Sequence, residues 1–263
     1  MSDAPQSLAI IGATGRMGAS LLENVAPRVR QTVDVAIVSS DESITVGPQN
    51  IETTSDFDQL ADVDVAIDFS SPQGAVDAAE ACSLHGVALV SGTTGLSPQQ
   101  QLRVADAIAD IPYLYAANFS VGVNLLSHLV EKAARGFGDQ VDIEIFEAHH
   151  RHKVDAPSGT AKMLGRAAAR GRDQQLGDVA TWTREGHTGE RSDDEIGFQV
   201  LRGGDIVGEH TAYFCIAGER LELTHRATDR GIFARGALRA ARWLGDQPPG
   251  NYEMTDVLFG DAL

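Results

Sequence analysis

The chain has 263 residues, 43% of them hydrophobic, which suits one large or two modest folded domains and excludes a disordered protein. Its formal charge of −16 makes nucleic acid and anionic membrane poor partners, and two distant cysteines, Cys82 and Cys215, set up no disulfide framework. No apolar run reaches the roughly 18 residues of a membrane span, and Met1 to Gln6 carry no basic leader segment, so a cytoplasmic location is expected.

Leu8 to Ile11 reads as a short apolar strand. Gly12-Ala13-Thr14-Gly15-Arg16-Met17-Gly18 follows, then an apolar-periodic helix from Ala19 to about Val25. Strand, glycine turn and helix start form a dinucleotide-binding arrangement. Gly12 would make the tight turn, Gly15 would let a pyrophosphate approach, and Gly18 would permit close helix packing. Val33 to Val38 is the expected second strand, ending at Ser39-Ser40-Asp41, where such a domain reads the ribose. Asp41 could accept a ribose hydroxyl, favouring NADH. Arg16, helped by Ser39 or Ser40, could instead meet a 2′-phosphate, favouring NADPH, and both remain open.

The alternation continues with a strand at Val63 to Phe69 and a helix from about Gln73 to Leu84, stopped at Gly86. Val87 to Val90 is the next strand. Ser91-Gly92-Thr93-Thr94-Gly95 then lies at a strand's carboxyl end, where open α/β sheets bind ligands. Pro98 opens another helix, and Tyr113 to Ala116 makes a further strand ending in Ala117-Asn118-Phe119-Ser120.

From Val121 the rhythm changes. A helix from about Asn124 to Arg135 precedes a strand at Val141 to Ile145, where apolar and acidic residues alternate. A second helix runs from Ala161 to about Arg170. Between them, positions 149–153 hold three histidines, an arginine and a lysine, a local inversion of charge in an acidic protein. The helix start at Ser158-Gly159-Thr160 offers backbone N–H groups to an anion, and Gly159 lets a ligand come close. The stretch reads as a cationic cradle for a carboxylate or phosphate, with His and Lys as proton-transfer groups beside it. No metal site is expected, because strand alternation puts His150 and His152 on one face and His149 on the other, with no well-placed Cys or acidic residue to complete a set.

Strand-like runs follow at 179–182, 197–201, 206–214 and 220–225, and an amphipathic helix at Ile232 to Leu244 is stopped by Gly245. The expected fold class is α/β: an N-terminal Rossmann-type parallel-sheet domain, residues 1–119 completed by 230–263, and a second α+β domain with a mixed sheet, residues 120–229, for substrate binding and oligomerisation.

Glu147-Ala148-His149-His150-Arg151-His152-Lys153-Val154-Asp155-Ala156-Pro157-Ser158-Gly159-Thr160-Ala161 resembles the signature of the 4-hydroxy-tetrahydrodipicolinate reductase family, the dihydrodipicolinate reductases of lysine biosynthesis. The turns at 92–95 and 116–120, the segments 184–191 and 204–211, and the ending at 251–258 are similar too, so the resemblance runs from residue 8 to about 259. It implies reduction of a cyclic dicarboxylate by NADPH or NADH in a homotetramer. It implies that Gly92, Thr93, Thr94 and Ala116, Ala117, Asn118, Phe119 line the nicotinamide end, beside Gly12 to Met17 and Ser40 or Asp41. His149 and Lys153 become the proton donor and acceptor, His150 contacts a substrate carboxylate, and Gly159 and Thr160 bind a carboxylate at the helix start. Ser39-Ser40-Asp41 departs from the family's acidic residue followed by arginine, which leaves the choice of cofactor open.

Two other classes share parts of this pattern. A different NAD(P)-dependent dehydrogenase of the same layout would need another proton donor or a nucleophilic cysteine, and neither cysteine has a site-like context. A non-catalytic dinucleotide sensor leaves the cationic stretch without purpose. Of the 21 Lys and Arg side chains only Lys132, Lys153 and Lys162 are lysines. That acidic, lysine-poor composition fits either a salt-rich cytoplasm or arginine-favouring codon usage.

Overall fold

A computed structural model describes residues 5–25, 30–40 and 43–260. The chain divides into two compact units, Met1–Val121 with Gly231–Leu263, and Gly122–Arg230.

The first unit opens with β1 (Gln6–Ile11), α1 (Arg16–Asn24), β2 (Gln31–Ile37), β3 (Thr45–Val46), β4 (Ile51–Thr54) and β5 (Val65–Asp68). It continues through α2 (Pro72–His85), β6 (Ala88–Ser91), α3 (Pro98–Ala107) and β7 (Pro112–Tyr115). Alternate residues of β1 feed two cores. Leu8 and Ile10 join Leu21 of α1, while Ala9 and Ile11 join Val76, Ala79 and Cys82 of α2. Such strands are apolar on both sides because helices cover both faces. The helix limits follow from caps written in the sequence. Ser71 accepts from Gly74 N at 3.1 Å, with Pro72 in the first helical turn, and Gly86 ends α2 in the left-handed region. Ser97 and Gln100 form a capping box at the start of α3.

The second unit begins, near its boundary, with α4 (Val121–Phe137) and contains β8 (Asp142–His149), α5 (Gly159–Gly171) and α6 (Leu176–Val179). It closes with β9 (Ala180–Thr181), β10 (Ile196–Arg202), β11 (Gly208–Ile216) and β12 (Glu219–Ala227). Its sheet has the order β12-β11-β8-β10-β9, with β8 parallel to β10 and antiparallel to β11. Ile143 and Ile145 of β8, Phe198 of β10 and Phe214 of β11 pack against Val130 of α4 and Leu164 of α5.

The chain then completes the first unit with α7 (Gly231–Leu244), β13 (Gly250–Tyr252) and α8 (Met254–Phe259). Ala234, Ala237 and Leu244 of α7 enter the core shared with α1. The first sheet has the order β13-β7-β6-β5-β1-β2-β4-β3, all neighbours parallel except β3 with β4. Among the described residues, no helix is long and apolar enough to cross a membrane.

Several limits differ from the sequence expectations. β8 runs four residues past Ile145, to His149, because both of its neighbours pair with it as far as Ala148. α5 starts two residues before Ala161, since Ser158 caps it. Val179 ends a short helix, leaving only Ala180 and Thr181 of the expected strand.

Candidate functional site

In the first unit the chain leaves β1 through α1 to β2 on one side and later returns to β5 on the other. The crevice at the carboxyl ends of β1 and β5 is therefore the topological switch point, where open α/β sheets take ligands. A cleft of about 610 Å³ lies there, lined by Gly12, Thr14, Gly15, Ser39, Ser70 and Ser71, among others. Gly12 has φ +81°, and a Cβ on it would lie 2.5 Å from Phe69 O. A Cβ on Gly18 would lie 2.3 Å from Gly12 O, so only glycine lets α1 approach the turn. At Gly15 a Cβ would reach Gly12 O at only 3.2 Å; the fold forbids it less firmly, but it would project where the cleft is lined. A bare turn opening a helix at a switch point fits a dinucleotide pyrophosphate.

Ala13 is buried beneath this turn, Arg16 is exposed in the first turn of α1, and Met17 packs on the core. Ser40 is exposed just beyond β2, and Asp41 lies outside the described residues. Gly92 donates to Asp68 O, and Thr93 Oγ1 accepts from Ser70 N at 3.0 Å. Thr94 is exposed beside a second cavity. Ala116 donates to Ser91 O, Ala117 is exposed, and Asn118 Oδ1 accepts from Ser120 N. The Phe119 side chain is buried edge-to-face on Phe69, 5.4 Å between centroids, and so serves the core. Asp68, buried at the end of β5, ties these turns together by accepting from Ser70 N and Ser91 Oγ. Burial pushes its carboxyl above the usual range, against the pull of those hydrogen bonds. Ser70 and Asp68 are contributors that sequence reasoning left without a role.

In the second unit, Glu147 and His149 share the face of β8 that carries Ile143 and Ile145. Strand register sets His210 opposite Glu147 and Arg202 opposite His149. Glu147 is completely buried. Its Oε2 accepts from His149 Nδ1, and its Oε1 accepts from Ser158 N at 2.9 Å. Arg202 donates to both carboxylate oxygens, each at 2.9 Å, and to Asp155 O at 2.6 Å. Ser158 Oγ caps α5 by accepting from Ala161 N and meets His210 Nε2 at 3.1 Å. Gly159 and Thr160 hold the first two positions of α5.

After His149 the chain turns away from the strand. Lys153 binds Asp155 at 2.7 Å, and His150 Nε2 accepts from Arg230 at 3.2 Å. His149, His150, Lys153 and the start of α5 thus all belong to one unit, whereas Gly12 to Met17, Ser40, Gly92 to Thr94 and Ala116 to Phe119 belong to the other. Arg151 and His152 are exposed.

The electrostatics follow the contacts. Burial raises the cost of a charge on Glu147, but His149, Arg202 and Ser158 N outweigh it and hold its carboxyl at about 2. His210 is pushed down to about 3, mainly by burial and then by His149. His150 is lowered by desolvation and then by the neighbouring charge of Arg230. Lys153 holds Asp155 below its usual range.

The expectation that no acidic residue accompanies the histidines is corrected by this register. Donor atoms of Glu147, His149 and His210 lie within 4.8 Å of one another. Glu147 is already occupied by the guanidinium of Arg202 and by His149, which opposes entry of a further cation. Sequence reading placed Ser158 at the helix start but missed its bond to Glu147, and it missed Arg202 and Arg230. The signal was the i, i+2 spacing of Glu147 and His149 on one strand, but their partners come from β10 and β11, far along the chain. The segments 184–191 and 204–211 part company. Gly208 and His210 stand beside His149, whereas Arg184 and Arg191 bind Glu144, on the opposite face of β8.

Two family models cover nearly the whole chain: dihydrodipicolinate reductase, N-terminus, over residues 6–119, and dihydrodipicolinate reductase, C-terminus, over residues 122–258. The fold is similar to a dipicolinate-bound dihydrodipicolinate reductase from Paenisporosarcina sp. TG-14, with 21% identity, TM-score 0.78, and 96% of this chain and 98% of that chain covered. It is also similar to apo scyllo-inositol dehydrogenase from Lactobacillus casei, with 14% identity, TM-score 0.58, and coverage of 99% and 94%. Aspartate dehydrogenase from Thermotoga maritima matches with 14% identity, TM-score 0.50, and coverage of 91% and 96%. At such identities these likenesses carry the fold alone, and it is the two family models that carry the function. The chain belongs to the dihydrodipicolinate reductase family, the NAD(P)H-dependent oxidoreductases that reduce 4-hydroxy-tetrahydrodipicolinate to tetrahydrodipicolinate in diaminopimelate and lysine biosynthesis.

Proposed function

We propose that the reaction is carried by His149 and Lys153, with His150, Gly159 and Thr160 holding the carboxylates of the cyclic substrate. The observation that supports this most is the end of β8. A histidine tied through Nδ1 to a buried carboxylate stands next to a capped helix start, in a segment rich in cations. Such a helix start suits a carboxylate, and Arg230 beside His150 adds a cation to the same unit. His149, with Nδ1 engaged, is left with Nε2 to deliver a proton to the ring carbon next to the one that receives hydride. Lys153 stabilises the negative charge that develops and accepts or returns a proton. Bound in the first unit, NADH or NADPH supplies the hydride. Gly12 to Met17 would hold the pyrophosphate, Ser40, Asp41 or Arg16 the ribose, and the turns at Gly92 to Thr94 and Ala116 to Phe119 the nicotinamide end, where Phe119 acts through its backbone. The overall change consumes NAD(P)H and a proton and releases NAD(P)⁺ and water. We read the Glu147–His149–His210 cluster as acid–base machinery and assign it no metal.

A homotetramer in the cytoplasm completes the reading. The nine-residue edge strand β12, mostly exposed, offers a surface that pairing would cover. The decisive assay follows NAD(P)H absorbance with freshly generated 4-hydroxy-tetrahydrodipicolinate, against aspartate-derived and polyol substrates as controls. Turnover with the dipicolinate substrate alone, inhibited by dipicolinate in competition with it, is expected. Inhibition lost in Gly159→Pro but retained in His150→Ala would move the carboxylate contact from His150 to the helix start. Light scattering that returns a monomer at micromolar concentration would refute the tetramer.

A further inference from the structure

We propose that Glu147 is a positioning residue that locks His149 in the tautomer used for proton transfer and ties it to the start of α5. This rests on the reading of His149 as the proton donor. Three features carry it. First, one buried carboxylate uses both oxygens on both tasks: Oε2 takes Nδ1–H of His149, and Oε1 takes Ser158 N at 2.9 Å. Secondly, Arg202 binds the two oxygens side by side at 2.9 Å and also holds Asp155 O at 2.6 Å. Asp155 in turn holds Lys153 at 2.7 Å, so the histidine, the lysine and the helix start hang from one Glu–Arg pair. Thirdly, the other ring nitrogen is left space. A Cβ on Gly208 would stand 3.1 Å from His149 Nε2, so glycine there keeps the nitrogen that would transfer the proton uncrowded.

The chemistry of the pair follows. A carboxylate on Nδ1–H forces the neutral ring to keep its lone pair on Nε2 and stabilises the cation formed when Nε2 is protonated. Arg202 limits that stabilisation, because its charge lies on the same oxygens. Without Arg202, Glu147 would favour the imidazolium more strongly. Without Glu147, the Arg202 charge would oppose it. The two partners therefore act on His149 in opposite directions, which no purely structural role would produce.

The test compares Glu147→Gln and Arg202→Gln. In the pH profile of kcat/KM, the limb on which activity falls with rising pH should move to lower pH by about one unit in Glu147→Gln, a tenfold loss at a fixed pH on that limb. It should move to higher pH in Arg202→Gln. The second readout needs no turnover. In imidazole ¹⁵N NMR of the protein, with the His149 signal identified by its absence in His149→Gln, the neutral ring should carry its proton on Nδ1. That preference should weaken in Glu147→Gln. An Nε2–H tautomer in the unaltered protein, or limbs that move the same way in both variants, would overturn the proposal. If Glu147→Gln does not fold, Arg202→Gln and the tautomer of the unaltered protein still decide it. A His149→Gln enzyme with near-normal turnover would remove the underlying assignment of His149 instead, which separates the two failures.

Discussion

Arg16 stands exposed in the first turn of α1, and Ser39 lines the cleft beside the glycine turn. Beyond β2 the chain reads Ser39-Ser40-Asp41, neither an acidic residue standing alone nor an arginine pair. A ribose hydroxyl would find acceptors in these residue types, and a 2′-phosphate would find Arg16 and two hydroxyls. Both cofactors should therefore support turnover, with kcat/KM values within about 10³ of each other, roughly 4 kcal/mol of discrimination. Arg16→Ala should lower kcat/KM for NADPH by about tenfold, the size of one lost charged hydrogen bond, and leave NADH within about threefold. Steady-state kinetics with each cofactor measure this. Equal losses for both would place Arg16 on the pyrophosphate rather than the ribose.

At the scale of elements, the first unit was largely legible and the site in the second only partly so. β1, the glycine turn, α2 and α3 carry local signals: an apolar run, Gly12 and Gly18, Ser71 with Pro72, Ser97 with Gln100. β8 was cut short at Ile145 because Glu147 and His149 look like solvated residues until Arg202 and His210 arrive from other strands. That pairing is non-local, and no window of sequence contains it. β3, β4 and β13 are two to four residues long and went unread, since so short a segment has no periodicity to detect. The network has a pH signature. Unfolded Glu147 takes a proton near 4.5, whereas the folded group waits until about 2. The unfolded chain binds more protons in that window, so this stabilisation is present above about 4.5 and lost as pH falls towards 2, roughly 3 kcal/mol in all. His210 acts in the same direction from higher pH: unfolded it titrates near 6.5, folded only near 3, so stability falls as pH drops between those values. Urea midpoints measured from pH 7 to 3 should fall less steeply below pH 4.5 in Glu147→Gln than in the unaltered protein. Equal slopes would mean that the buried carboxylate is not held ionised by its partners.

Over the whole molecule the dominant feature is charge, −16 with only Lys132, Lys153 and Lys162 as lysines. Like charges at 4 Å repel by about 1 kcal/mol in water, and a few such pairs rival a large part of a net stability of about 5–15 kcal/mol. The Debye length shrinks from about 10 Å at 0.1 M to about 3 Å at 1 M salt. The unfolding midpoint should therefore rise across a KCl series from dilute buffer to molar salt. A flat or falling midpoint would assign the composition to codon usage. Salt acts the other way on attraction of an anionic substrate to the cations at 149–153, but the acidic surface is the larger, so stability should gain. In the proposed mechanism proton transfer belongs to His149 and Lys153, in a unit distinct from the glycine turn that would hold the dinucleotide. The most direct test is turnover of the His149→Gln/Lys153→Ala double variant, with its NADH affinity measured by fluorescence on the same samples. We predict a kcat lower by at least about 10²-fold, the contribution of a positioned acid, with a dissociation constant for NADH within about threefold of the unaltered protein; near-normal turnover in the double variant would contradict the account.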